Sequence, residues 1–205
     1  MNLNGKKIAI LGAGRSGLGA AHLALAKGAA EVCIFDANPK AFCSDAQIPF
    51  VAGATEEHAH GYKADLVVIS PGIEADIPWT LAFACAGAPV IGETELAFAY
   101  CTSRIIAITG TNGKTTTTAL IEHILTHAGH SAKACGNYGF PLSEVVLMDP
   151  APEFAVLEIS SFQLETIYTF RPHVSAILNI TPDHLDRHIT FEGYIAAKAR
   201  ITENQ

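Results

Sequence analysis

Short apolar runs, each closed by a glycine-, proline- or hydroxyl-rich break, recur along the chain. Lys7–Leu11, Glu31–Phe35, Asp65–Ser70 and Pro89–Ile91 are such runs, and continuous apolar segments of this length suit strands buried on both faces of a parallel sheet. Between them, Ser16–Lys27 and Pro78–Ala86 read as helices, the first of them alanine-rich. The alternation predicts a doubly wound parallel α/β fold. A short helix over Glu93–Tyr100 leads into a second series, with strands at Arg104–Thr109, Ser131–Cys135, Phe154–Ile159 and Val174–Asn179 and helices at Lys114–Ala128 and Phe191–Arg200. The pattern predicts two nucleotide-type folds in tandem, residues 1–92 and 93–205, with no internal repeat and no low-complexity tract. The second fold reads as incomplete, because no closing element follows its fourth strand and last helix.

Composition narrows the function classes. Of the 205 residues 49% are hydrophobic, yet no segment approaches the roughly 18 uninterrupted apolar residues of a membrane span. The first apolar run is too short for a signal peptide. The five cysteines are odd in number and form no C-x-x-C pair, which fits reduced, mostly buried thiols in a cytoplasmic protein. A net charge of −7 argues against nucleic acid as a partner, since a phosphate backbone calls for a basic face. Any anionic ligand must therefore be held by local devices such as helix N-termini, lysines and metal ions.

Two glycine loops supply such devices. Thr109–Thr115, TGTNGKT, follows an isoleucine-rich strand and opens a helix. This is phosphate-cradling geometry, with backbone amides and Lys114 for the phosphates and the Thr115 hydroxyl for Mg²⁺. Ile108 stands where the general form of the motif has glycine. The other loop is Gly12-Ala13-Gly14-Arg15-Ser16-Gly17, with Asp36 at the end of the next strand. It fits an NAD- or FAD-type Rossmann-like domain, another phosphate-bearing ligand, or glycines needed only for close packing. Ser70-Pro71-Gly72 ends a buried strand, where ligands of such sheets bind, and also reads as a plain turn.

Three further features carry chemistry. Glu158 interrupts a buried apolar strand and calls for a metal ion or an ion pair, because an uncompensated buried charge is costly. Asn179–His188, NITPDHLDRH, gathers two aspartates, two histidines and an arginine, either as a functional loop at a strand's C-terminal edge or as a solvated polar loop. Lys198, on the last helix, reads from spacing alone as an exposed surface lysine.

TGTNGKT, the Glu158 strand, and NITPDHLDRH followed by a helix bearing Lys198 together resemble the Mur ligases, ATP-dependent amide-forming enzymes of peptidoglycan precursor synthesis. The GAGRSG loop with Asp36, the Ser70–Gly72 turn and the PDHLDRH form most resemble the branch that joins D-glutamate to UDP-N-acetylmuramoyl-L-alanine. The resemblance implies that Gly14, Arg15, Ser16, Gly17, Asp36, Ser70, Pro71 and Gly72 hold the uridine diphosphate of that substrate, and that Asn137 and Ser160 touch its muramoyl-alanine part. Gly110, Thr111, Asn112, Gly113, Lys114, Thr115 and Thr116 would hold the ATP phosphates. Thr115 and Glu158 would bind one Mg²⁺, and Glu158, His184 and a CO₂-carbamoylated Lys198 a second. Lys114, His184 and Lys198 would be the catalytic residues. The implied reaction passes through an acyl phosphate that the amino group of D-glutamate attacks.

Mur ligases have three domains, so the resemblance also implies a truncated P-loop-type central domain. On that reading the chain is a fragment that binds the UDP moiety, does not ligate, and self-associates through its unfinished second sheet. The rival expectations are an NAD(P)-dependent oxidoreductase built on GAGRSG and Asp36, and a non-catalytic nucleotide-sugar-binding module.

Overall fold

The computed structural model describes residues 1–84 and 87–205. It forms two compact units, Met1–Tyr100 and Cys101–Gln205. The first contains strands β1 (Lys7–Leu11), β2 (Glu31–Asp36), β3 (Phe50–Ala52), β4 (Leu66–Ile69) and β5 (Val90–Gly92). They alternate with helices α1 (Arg15–Ala26), α2 (Glu56–Tyr62), α3 (Pro78–Ala84) and α4 (Glu93–Phe98). All pairings are parallel, in the order β3-β2-β1-β4-β5. β1 is the central strand, with Ile8 through Leu11 fully buried. One face of the sheet packs Phe35 against Tyr62 and Phe83, with ring centroids 5.0 and 4.7 Å away.

The pattern missed β3 and α2. β3 is only three residues long, and α2 (EEHAHGY) buries Ala59 alone, so neither carries an apolar periodicity. Thr55 starts α2 through a capping box with His58. Of the helix expected over Pro78–Ala86, Pro78–Ala84 is helical, and Cys85 and Ala86 lie outside the described residues. α4 belongs to the first unit, where it buries Leu96 and Ala97 completely.

The second unit contains β6 (Arg104–Thr109), α5 (Lys114–His127), β7 (Ala132–Gly136), α6 (Leu142–Val146), β8 (Phe154–Glu158), α7 (Ser161–Leu164), β9 (Val174–Ile177), α8 (Leu185–His188) and α9 (Phe191–Ala199), closed by a 3₁₀ turn at Arg200–Thr202. Its four strands are also parallel, in the order β7-β8-β6-β9. β6 thus lies between β8 and β9, and Ile108 is level with Glu158. Gly136 lets β7 approach that same point, since a Cβ there would stand 2.1 Å from the Glu158 carbonyl oxygen. β9 is an edge strand, with Val174 and Ile177 exposed. The four described cysteines are free thiols, and three of them are buried. Among the described residues no helix is long and apolar enough to cross a membrane.

Candidate functional site

In the first sheet the chain steps outward from β1 to β2 and β3 on one side, and to β4 and β5 on the other. The C-terminal ends of β1 and β4 therefore flank the point where the strand order reverses, which is where open α/β sheets bind ligands. Gly12–Gly17 follows β1 and Ser70–Gly72 follows β4. Asp36, expected to help hold the uridine diphosphate, accepts hydrogen bonds from the Ala13 and Asn38 N–H groups, each at 2.9 Å, and so holds the loop in shape. The Ser70 hydroxyl donates to the Gly12 carbonyl at 3.5 Å. Gly17 is required by packing, since a Cβ would lie 1.9 Å from the Gly12 oxygen. Gly14 differs. It caps α1 and has open space where a Cβ would stand. Arg15 and Ser16 form the first turn of this 12-residue helix, whose leading amides lack intrahelical partners.

In the second unit the loop after β6 is drawn in on itself. Lys114 Nζ donates to the carbonyls of Gly110 and Thr111, both at 2.9 Å. Lys198 Nζ reaches the same Gly110 carbonyl at 3.0 Å and lies 4.5 Å from the centre of the Tyr194 ring. Two ammonium groups on one carbonyl mark a place for an anion. The expectation of a surface lysine at 198 is wrong: only 2% of the residue is exposed, because α9 lays its inner face over the loop. Burial, followed by the charge of Lys114, pulls its pKa from 10.5 down to about 8, and Asp183 opposes the shift.

Glu158 is also 2% exposed. Its two oxygens accept from the Thr115 hydroxyl at 2.7 Å and the Asn137 amide at 3.0 Å, so its described partners are neutral. A buried carboxylate beside a hydroxyl, with no cation paired to it, fits a hard oxygen-preferring ion such as Mg²⁺. Among the described residues no three His, Cys, Asp or Glu side chains converge to hold a metal. The expected second set of Glu158, His184 and Lys198 therefore depends on the lysine, whose ammonium form has no lone pair to offer.

The loop after β9 braces the phosphate loop. Asn179 accepts from the Asn112 N–H at 2.9 Å and returns its side-chain amide to the Asn112 carbonyl at 3.0 Å. Thr111 Oγ1 donates to the Thr181 carbonyl at 3.1 Å. His184, with φ +51°, donates its backbone N–H to Asp183 Oδ1 at 2.9 Å and sets its ring 4.9 Å from that of Phe162. Gly110, Asn112, Gly113 and Thr116 supply backbone and an exposed rim, and Thr116 forms no part of the lysine cluster.

The sequence reading singled out this segment but not the contacts to Ser161 and Glu165 that tie it down. His188 Nε2 lies 3.0 Å from Ser161 Oγ and its Nδ1 3.5 Å from Glu165, while Arg187 pairs with Glu165 at 2.5 Å. Burial holds the His188 pKa below the usual imidazole value. The signal available was the i,i+4 spacing of Ser161 and Glu165 ahead of a His- and Arg-containing loop. Ser160 caps α7 through Gln163, and Asn137 spends its amide on Glu158.

Residues 108–205 match the model of the Mur ligase middle domain. The chain is 47% identical over 212 aligned positions to the UDP-N-acetylmuramoylalanine–D-glutamate ligase of Lachnospira eligens, with 100% of this chain covered and 47% of the relative. The chain belongs to the Mur ligase family. A second family member, the protein of that name from Koribacter versatilis, is also 47% identical, with 46% of its length covered. The chain thus spans about half the length of the curated Mur ligases it matches. Among solved structures, a UDP-N-acetylmuramate:L-alanyl-gamma-D-glutamyl-meso-diaminopimelate ligase from Neisseria meningitides aligns over 97% of this chain and 68% of its own, with a TM-score of 0.63 and 21% identity. At that identity the likeness is one of fold.

Proposed function

We propose that the chain carries the UDP-substrate site and the ATP-phosphate site of a ligase that joins D-glutamate to UDP-N-acetylmuramoyl-L-alanine. The observation that carries this reading is the convergence of Lys114 and Lys198 on the Gly110 carbonyl, within a unit that also buries Glu158 against Thr115. The pyrophosphate of the substrate would sit over the open space at Gly14 and the first amides of α1, with Asp36 and Ser70–Gly72 shaping the crevice. The unit Met1–Tyr100 serves as the UDP-binding domain in this scheme and the unit Cys101–Gln205 as the ATP-binding domain.

The substrate carboxylate attacks the γ-phosphorus of ATP, the bond to the β-γ bridging oxygen breaks, and ADP leaves. Lys114 and the loop amides hold the phosphoryl oxygens in line, a task of positioning and charge stabilisation. The D-glutamate nitrogen then attacks the acyl carbon, loses a proton and displaces phosphate. Mg²⁺, when bound, supplies further charge neutralisation. Thr115 and Glu158 would hold one ion, and Glu158, His184 and a carbamoylated Lys198 the other. Carbamoylation joins the neutral lysine nitrogen to CO₂ with loss of a proton, and a lysine whose pKa falls to about 8 is partly neutral near physiological pH. Asn137 and Ser160 would line the muramoyl-alanine path.

The relatives reported are ligases, and the oxidoreductase reading finds no support among them. We also propose that the open edge of β9, where Val174, Ile177 and Leu178 are exposed, pairs with a second copy of the chain. Thermal-shift titrations test the main reading. UDP-N-acetylmuramoyl-L-alanine and ATP with Mg²⁺ should each raise Tm, and NAD(P) should not. A shift with NAD(P) alone would overturn the reading, and a shift with UDP alone would leave only a nucleotide-sugar-binding module.

A further inference from the structure

Helix α5 carries a feature that the phosphate site does not use. His123 and His127 are both exposed, four positions apart, with rings stacked at a centroid distance of 6.1 Å and an interplanar angle of 20°. Positions i and i+4 lie one above the other on the same helix face. Among the described residues neither ring has another hydrogen-bond or ion-pair partner. Other histidines of the second unit are engaged: His130 meets Glu153 at 2.8 Å, and His173 accepts from the Ile105 N–H at 3.1 Å.

We propose that His123 and His127 form a two-imidazole site for a borderline divalent transition ion, Zn²⁺, Ni²⁺ or Cu²⁺. Two histidines one helical turn apart are the metal-binding element of helical H-x-x-x-H sequences. Neutral imidazole suits these ions, whereas Mg²⁺ and Ca²⁺ prefer oxygen. His127 is the last residue of α5, where the helix dipole favours a cation. No third His, Cys, Asp or Glu of the described residues joins the pair, so water fills the remaining coordination positions and the ion exchanges freely. The bound ion would staple the last turn of α5.

Untagged protein titrated calorimetrically with Zn²⁺, in excess Mg²⁺ to occupy oxygen-preferring sites, tests this directly. One Zn²⁺-binding class is expected. His123→Ala and His127→Ala should each weaken it by at least about tenfold, because the second ligand no longer binds intramolecularly. His60→Ala, which removes an exposed histidine on α2, should leave it unchanged. Zn²⁺ should also slow amide exchange in the last turn of α5 in the parent protein alone, with circular dichroism confirming that each variant is folded. Parental affinity in both α5 variants, absence of binding in the parent, or equal loss in His60→Ala would each overturn the proposal.

Discussion

In the first unit the glycine loop after β1 is held by a carboxylate, with Asp36 on the Ala13 N–H, and contains no lysine. In the second unit the loop after β6 contains Lys114, is overlaid by Lys198, and faces the buried Glu158. Both follow a central parallel strand and open a helix of at least 12 residues. The difference is in where charge sits. Amides and a helix dipole suffice to hold a phosphate whose charge stays fixed. Moving a phosphoryl group requires cations where charge builds up, and a carboxylate to hold the metal. The first loop, with Arg15 as its one basic side chain, is accordingly a backbone cradle, and the second is built around two lysines.

The sharpest test of that contrast lies in the backbone of the first cradle. Gly17→Ala forces a Cβ to 1.9 Å from the Gly12 oxygen and should cost roughly 3 kcal/mol. Gly14→Ala meets nothing within 4 Å and should leave stability almost unchanged while weakening UDP binding. Urea melts of the two variants would show it, and equal melts would erase the distinction between packing glycine and ligand glycine. For the second loop, Lys114→Ala removes a charged donor and should weaken ATP binding by about 10- to 100-fold, with a melting curve close to that of the parent. UDP affinity should not move.

Next in size is a pH effect confined to the charged cradle. The folded-state pKa of Lys198, about 8, lies below its ordinary 10.5, so between those values the unfolded chain binds more protons. Stability should therefore rise with pH through that window. Lys198→Met should flatten the rise in denaturation midpoints measured at pH 7.5 and 10, and an undiminished slope would show that another group is responsible. The smallest expected effect is at the edge strand. Val174→Lys, at an exposed position, should change stability little and reduce self-association in light scattering, since charges on an open edge oppose strand pairing.

The elements that position the sites were largely legible in the sequence. β1, β2, β4, β6 and β8 are apolar runs that a buried parallel sheet accommodates, and the candidate loops follow them. Elements with little apolar content escaped: β3, with three residues, and α2, with one buried alanine. The Ser161–His188–Glu165–Arg187 contacts were hidden because they join α7 and the residue after it to α8, more than 20 residues later, and the spacing of Ser161 and Glu165 does not by itself name the partner.

The sequence by itself determined the two strand–loop–helix cradles, an acid at Glu158 inside an apolar strand, and the family, because each is written in contiguous residues whose backbone geometry is locally dictated. Tertiary structure alone decided that Lys198 is buried beside Lys114, that Asp36 holds the loop backbone, and that Gly17 and Gly136 are packing glycines while Gly14 has open space beside it. Those properties depend on how close one segment comes to another. Burial and the field of a neighbouring charge change the chemistry of a lysine, and neither exists until the helix that carries it has packed.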